Sequence, residues 1–278
     1  MKAMYLEVAG TRSFVLEEGA GQPVLCLHTA GQNGVQWRHV QSDLAALGYR
    51  VVVPDLPGHG RSEPAAGGPV RDLGDYASWC AELMDRLGMH RPFVVGCSIG
   101  GAITLQLAVR RGDQLAGALA MAADAGQSAG GRLTVRGLER ELVDAAAPSR
   151  SDRTYLGTLA VVGRLVPRRK AELIATMHRR EDPEISTCDL IGWTTHDVLS
   201  GLSEVACPTH LVVGDDDLWL DPEDVRRAAA LIPDGRCTVL PGIGHYPMEE
   251  LDGFAETLHR WLQELGGSIG ARGIDKVG

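Results

Sequence analysis

The stretch VVGCSIGG at residues 94–101 sets a cysteine and a serine side by side inside a frame of glycines. It extends the apolar run FVV and leads into AITLQLAVRR, whose apolar residues recur at helical spacing. A strand that turns sharply into a helix forces its apex residue into a strained conformation. The positions two before and two after that apex must then be small. Centred on Ser98, those positions are Gly96 and Gly100, with Gly101 easing the approach of the helix; centred on Cys97 they are Val95 and Ile99, which do not fit. Ser98 is therefore the expected apex. A hydroxyl held at a helix N-terminus faces backbone N–H groups able to stabilise an oxyanion, and Ile99 N–H is the first of them.

Outward from this turn, eight short runs read as strands: YLEV, SFVLEE, PVLCLHT, RVVVPD, FVVGCS, LAGALAMA, HLVVGD and CTVLPG. From residue 23 onward they are rich in Val and Leu without polar alternation, as parallel strands covered on both faces require. The first two alternate more and suit an antiparallel edge. Helices are expected at about 36–47, 73–88, 99–111, 222–232 and 249–265. The prediction is an α/β fold with a mostly parallel eight-stranded sheet flanked by helices. Between Asp124 and Pro208 the alternation stops and segments such as RTYLGTLAVVGRLV take over. The expected organisation is a core over 1–124 and 206–265, an inserted helical cap over 125–205, and a mobile Gly-rich tail over 266–278.

Composition narrows the function classes. With 278 residues, 44% hydrophobic and 23% charged, the chain is an ordinary globular protein with a large core. A net charge of -9 argues against binding nucleic acid, which needs a surplus of Lys and Arg. The beginning of the chain lacks the pattern of an export signal, and no stretch reaches membrane-spanning length. Six scattered cysteines without CxxC or metal-ligand spacing point to reduced thiols in the cytoplasm.

A serine hydroxyl needs a base, and the base needs an acid to orient it. Past the strand HLVVGD stand Asp215, Asp216 and Asp217, and past CTVLPG stands His245. Each also has a plainer reading, as a solvated turn for the acids and as a loop residue before a helix for the histidine.

The chain order Ser, Asp, His, each after an apolar strand, is that of the α/β-hydrolases. The chain resembles that superfamily from about residue 20 to 265. The resemblance rests on LHTAG at 27–31, DLPGHGRS at 55–62, GCSIGG at 96–101, and GDDD with GIGHYP. It implies Ser98 as nucleophile, His245 as base and then acid, and Asp217 as the orienting acid, counted from Gly214. Asp215 or Asp216 is the fallback, and Asp124 a weaker one. It also implies Ala30 N–H as the second oxyanion donor, with Thr29, where the family usually has Gly, as substitute donor or substrate contact. His28, Asp55, His59 and Arg61 are expected to organise the surrounding loops.

A serine rather than an aspartate at the elbow suits attack on a carbonyl, so the expected activity is a serine esterase working through an acyl-enzyme, with no metal or organic cofactor. Lactone or C–C bond cleavage would use the same residues. A non-catalytic ligand-binding protein on the same scaffold is the alternative of another class. Trp37, Trp193 and Trp219 are candidates to line an apolar pocket, and cap arginines such as Arg132 and Arg153 to hold a substrate carboxylate. The expected partner is a small-molecule ester, with neither nucleic acid nor membrane, and an exposed cap face or edge strand would suit a homodimer.

Overall fold

The computed structural model describes residues 1–126, 135–143 and 150–274. Two strands open the chain, β1 (Lys2–Val8) and β2 (Thr11–Gly19). Strand and helix then alternate through β3 (Gln22–Leu27), α1 (Gln41–Ala46), β4 (Tyr49–Pro54), α2 (Leu73–Arg86), β5 (Phe93–Cys97), α3 (Ile99–Arg111) and β6 (Gly117–Met121). Among the described residues the α-helices before the next strand are α4 (Val135–Val143), α5 (Arg150–Val161), α6 (Arg168–His178) and α7 (Pro183–Thr195). The pattern resumes with β7 (Thr209–Gly214), α8 (Pro222–Leu231), β8 (Gly235–Leu240), α9 (Pro247–Glu250) and α10 (Phe254–Ile274).

All eight strands share one sheet in the order β1-β2-β4-β3-β5-β6-β7-β8. The β1–β2 and β2–β4 pairs are antiparallel, and every other pair is parallel. Each residue of β5, β6 and β7 is buried, which explains why those runs carry no polar alternation. β1, at the edge, keeps one face toward solvent and reads as alternating.

The helix expected over 36–47 divides into a 3-10 turn at Gly34–Trp37, capped by Asn33 on Val35 N–H, and α1. The helix expected over 249–265 divides in the same way. Leu251 is extended, Gly253 takes a φ of +62°, and the helical path restarts at Phe254. That last helix continues to Ile274, so residues 266–274, expected to form a mobile tail, are helical in backbone. Arg132 and residues 275–278 lie outside the described residues. No described helix is long and apolar enough to cross a membrane.

The parallel strands place the candidate residues at their C-terminal ends, the usual location of ligand sites in open α/β sheets. β3 leads to Thr29 and Ala30, β5 to Ser98, and β7 to Asp217, while His245 lies in the loop after β8.

Candidate active site

Ser98 joins β5 to α3 at φ +56° and ψ −120°, a conformation that costs on the order of 1–3 kcal/mol for a residue with a Cβ. The surroundings enforce it. A Cβ on Gly96 would fall 2.1 Å from the Gly100 carbonyl oxygen, and one on Gly100 would fall 2.6 Å from that of Leu27. Backbone thus packs on backbone around the turn, and the Ser98 N–H is held by the Met121 carbonyl at 2.9 Å. Ile99 begins α3, and its N–H is not donated to any group among the described residues.

Cys97 faces the other way. Its side chain is fully buried, and its Sγ–H donates to the His245 carbonyl at 3.3 Å. Burial first, then the negative charges of Asp217, Glu249 and Glu250, push its pKa well above the ordinary thiol value, so it stays an inert thiol. Cys97→Ala is expected to keep kcat/KM on aryl esters within about tenfold of wild type, the scale of one hydrogen bond. A loss as large as that from removing the Ser98 hydroxyl would reverse the assignment of the apex.

The three acids after β7 separate cleanly. Asp217 Oδ2 lies 2.8 Å from His245 Nδ1, while its Oδ1 accepts the Trp219 N–H at 2.8 Å, so both carboxylate oxygens are placed. Asp215 pairs with the Arg164 guanidinium at 3.1 Å, and Asp216 pairs with the same group and accepts the Arg164 N–H. Neither reaches His245. With Nδ1 occupied by Asp217, Nε2 is the imidazole nitrogen left for the cavity.

Ser98, His245, Thr29 and Ala30 line one cavity of about 260 Å³, roofed by side chains from α5, α6 and α7. Trp193 and Trp219 both line it and meet edge to face at 6.3 Å. Trp37 does not. It is fully buried in the core, its ring 6.4 Å from that of Phe254. Among the described residues of the inserted helices, Arg153 lines the cavity. Among the described residues no group of three or more His, Cys, Asp or Glu is placed to hold a metal ion.

Thr29 is committed elsewhere. Its N–H and its hydroxyl both donate to Gln36 Oε1, at 2.8 and 3.1 Å. The Ala30 N–H is left without an acceptor among the described residues. The loop itself is fastened from several sides. His28 donates through Nδ1 to the Thr29 carbonyl and accepts the Leu56 N–H on Nε2. Burial and the neighbouring His59 lower its pKa to about 4, so it is a neutral strut. Asp55 accepts the Gly34 and Arg61 N–H groups and grips the Arg61 guanidinium with both oxygens, as the sequence led one to expect.

Several residues of this machinery escape a reading of the sequence. Asp189 in α7 is fully buried and collects Gly31 N–H, His59 Nε2 and the Tyr76 hydroxyl, all within 2.9 Å. It ties α7 to the loops at Gly31 and His59 and to α2. Glu250 accepts the N–H groups of Gly163, Gly244 and Tyr246, and Glu249 meets Gln36, Arg38 and His178. In sequence these two acids look like the ordinary acidic first turn of a helix. The available signal was their position directly after HYPM, in a short helix whose every residue is buried.

The model of the alpha/beta hydrolase family matches residues 24–257. The chain belongs to that family. Among curated proteins, the 2-hydroxy-6-oxo-6-phenylhexa-2,4-dienoate hydrolase of Burkholderia cepacia is 25% identical over 254 residues, covering 86% of each chain. Among solved structures, a thermophilic esterase from Thermogutta terrifontis superposes with a TM-score of 0.78 at 24% identity, over 96% of this chain and 100% of that one. The enol-lactonase of Burkholderia xenovorans gives a TM-score of 0.79 at 20% identity, over 94% and 100%. At these identities the two structures establish the fold of this alpha/beta hydrolase, and its chemistry must be argued from its own residues.

Proposed function

We propose that this alpha/beta hydrolase is a serine hydrolase that cleaves a small carboxylic ester through an acyl-enzyme. One observation carries the reading: the strained Ser98 and the Asp217-bound His245 open into the same cavity. Ser98 Oγ attacks the carbonyl carbon as His245 Nε2 takes its proton, and Asp217 stabilises the imidazolium that forms. The N–H groups of Ile99 and Ala30, both free of protein acceptors among the described residues, receive the oxyanion. His245 then protonates the leaving alkoxide, and a water activated by the same imidazole releases the acid. The Thr29 N–H is excluded as donor because Gln36 holds it.

The apolar wall of Trp193 and Trp219 suits a short acyl or aryl group, and 260 Å³ lies just below the usual range of ligand cavities, roughly 300–1,000 Å³. Lactone or C–C bond cleavage is the second reading, favoured by the similarity to the Burkholderia cepacia hydrolase along most of both chains. The test is treatment with a fluorophosphonate followed by peptide mass mapping, alongside hydrolysis of p-nitrophenyl acetate and butyrate. The expected result is one adduct, on Ser98, and turnover of at least one ester. No adduct and no turnover would favour a ligand-binding protein instead.

A further inference from the structure

Besides His245, a second imidazole reaches the cavity. His178 ends α6, its side chain is only 4% exposed, and it lines the cavity wall with its ring 4.3 Å from that of Tyr246. Its Nε2 lies 2.9 Å from Glu249 Oε2, and the Gln36 amide nitrogen lies 3.0 Å from the same oxygen. The amide cannot be turned around, because its oxygen already accepts the Thr29 N–H and hydroxyl. Burial works against charge on Glu249, but the bonds from His178 and Gln36 and the nearby Arg38 hold its pKa below the usual value. An ionised carboxylate only accepts, so a proton is fixed on His178 Nε2, and in the singly protonated ring Nδ1 is the bare nitrogen. The 3.1 Å approach of Gln36 Nε2 to His178 Nε2 is then two donors converging on one oxygen.

This leaves Nδ1 of His178 as a fixed acceptor with no hydrogen-bond partner among the described residues. The nearby polar groups do not serve it. The hydroxyls of Thr154 and Ser186 both donate to Glu181, and that of Thr29 to Gln36. An acceptor in a cavity wall discriminates between ligands that carry a donor and ligands that do not.

We propose that His178 selects a hydroxylated substrate, its Nδ1 accepting a hydrogen bond from a hydroxyl carried by the ester. Glu249 fixes the tautomer that makes it an acceptor. The proposal rests on the reading of the Ser98 cavity as the substrate cavity. Its test does not require turnover. Binding to Ser98→Ala is measured by calorimetry at pH 8 for phenyl butanoate, phenyl 2-hydroxybutanoate, phenyl 3-hydroxybutanoate and 2-hydroxyphenyl butanoate. At least one hydroxylated ester is expected to bind about tenfold tighter than phenyl butanoate. Adding His178→Phe, or His178→Leu should the first variant misfold, is expected to reduce that ratio below about threefold. The proposal is overturned if no hydroxylated ester exceeds the parent by about threefold, or if the preference survives both His178 variants. Hydrolysis of phenyl butanoate by the wild type is scored separately, and its absence would count against the serine-hydrolase reading, not against the preference.

Discussion

Ser98→Ala is expected to lower kcat/KM for any ester substrate by about 10⁵-fold, the scale seen when a serine nucleophile is removed from a working triad. The loss falls on kcat, because the cavity that binds the ester is lined by many other side chains and changes by one oxygen. Stability should hardly move. The Ser98 side chain caps nothing at the start of α3, and alanine at φ +56° bears the same backbone strain as serine. The melting temperature of Ser98→Ala is therefore expected within about 2 °C of wild type, the shift of roughly 1 kcal/mol in a chain of this size. A variant that keeps more than a hundredth of the wild-type rate would remove Ser98 from the reaction.

The second large effect belongs to Asp217. In Asp217→Asn the amide oxygen takes the Trp219 N–H, as Oδ1 does now, and the amide nitrogen turns to His245 Nδ1. A donor there forces the imidazole to carry its proton on Nε2, which can no longer accept the proton of Ser98. A fall of about 10⁴-fold in kcat with KM little changed is expected from the wrong tautomer. Asp215→Asn and Asp216→Asn serve as internal controls, since both carboxylates face Arg164 at a partly exposed surface. Each should stay within about fivefold of wild type, as surface pairs contribute little. Equal losses for the three changes would mean that the run acts as a negative patch and that no one acid orients the base.

The three neighbouring acids also mark where sequence reading stops. Strand runs such as FVVGC and HLVVG stand out because burial on both faces removes every polar residue, and the elbow stands out because only Gly96 and Gly100 clear the backbone crossing there. Such constraints act on neighbours in the chain and leave a local trace. Which of Asp215, Asp216 and Asp217 meets His245 depends on a turn whose backbone is held by the Leu240 and Ile243 carbonyls, so the letters alone leave the three open and only the family's count from Gly214 points to Asp217. Trp37 shows the converse. An aromatic residue close to an oxyanion loop looks like a pocket wall, but one 3-10 turn rotates it into the core. The buried carboxylates Asp189 and Glu249 are satisfied by groups far away in sequence, which the order of letters does not announce.

The Val161 carbonyl accepts the His245 N–H at 2.9 Å, and Gly163 and Gly244 share the carboxylate of Glu250. A Cβ on Gly244 would sit 2.0 Å from that Val161 oxygen, so the two segments interlock without side chains between them. The inserted helices are therefore no interchangeable module. Recombining this core with the insert of a relative by cutting at the ends of β6 and β7 would leave the His245 loop without its backbone partner. A productive chimera has to carry residues 161–165 and 242–250 together, as one inherited unit.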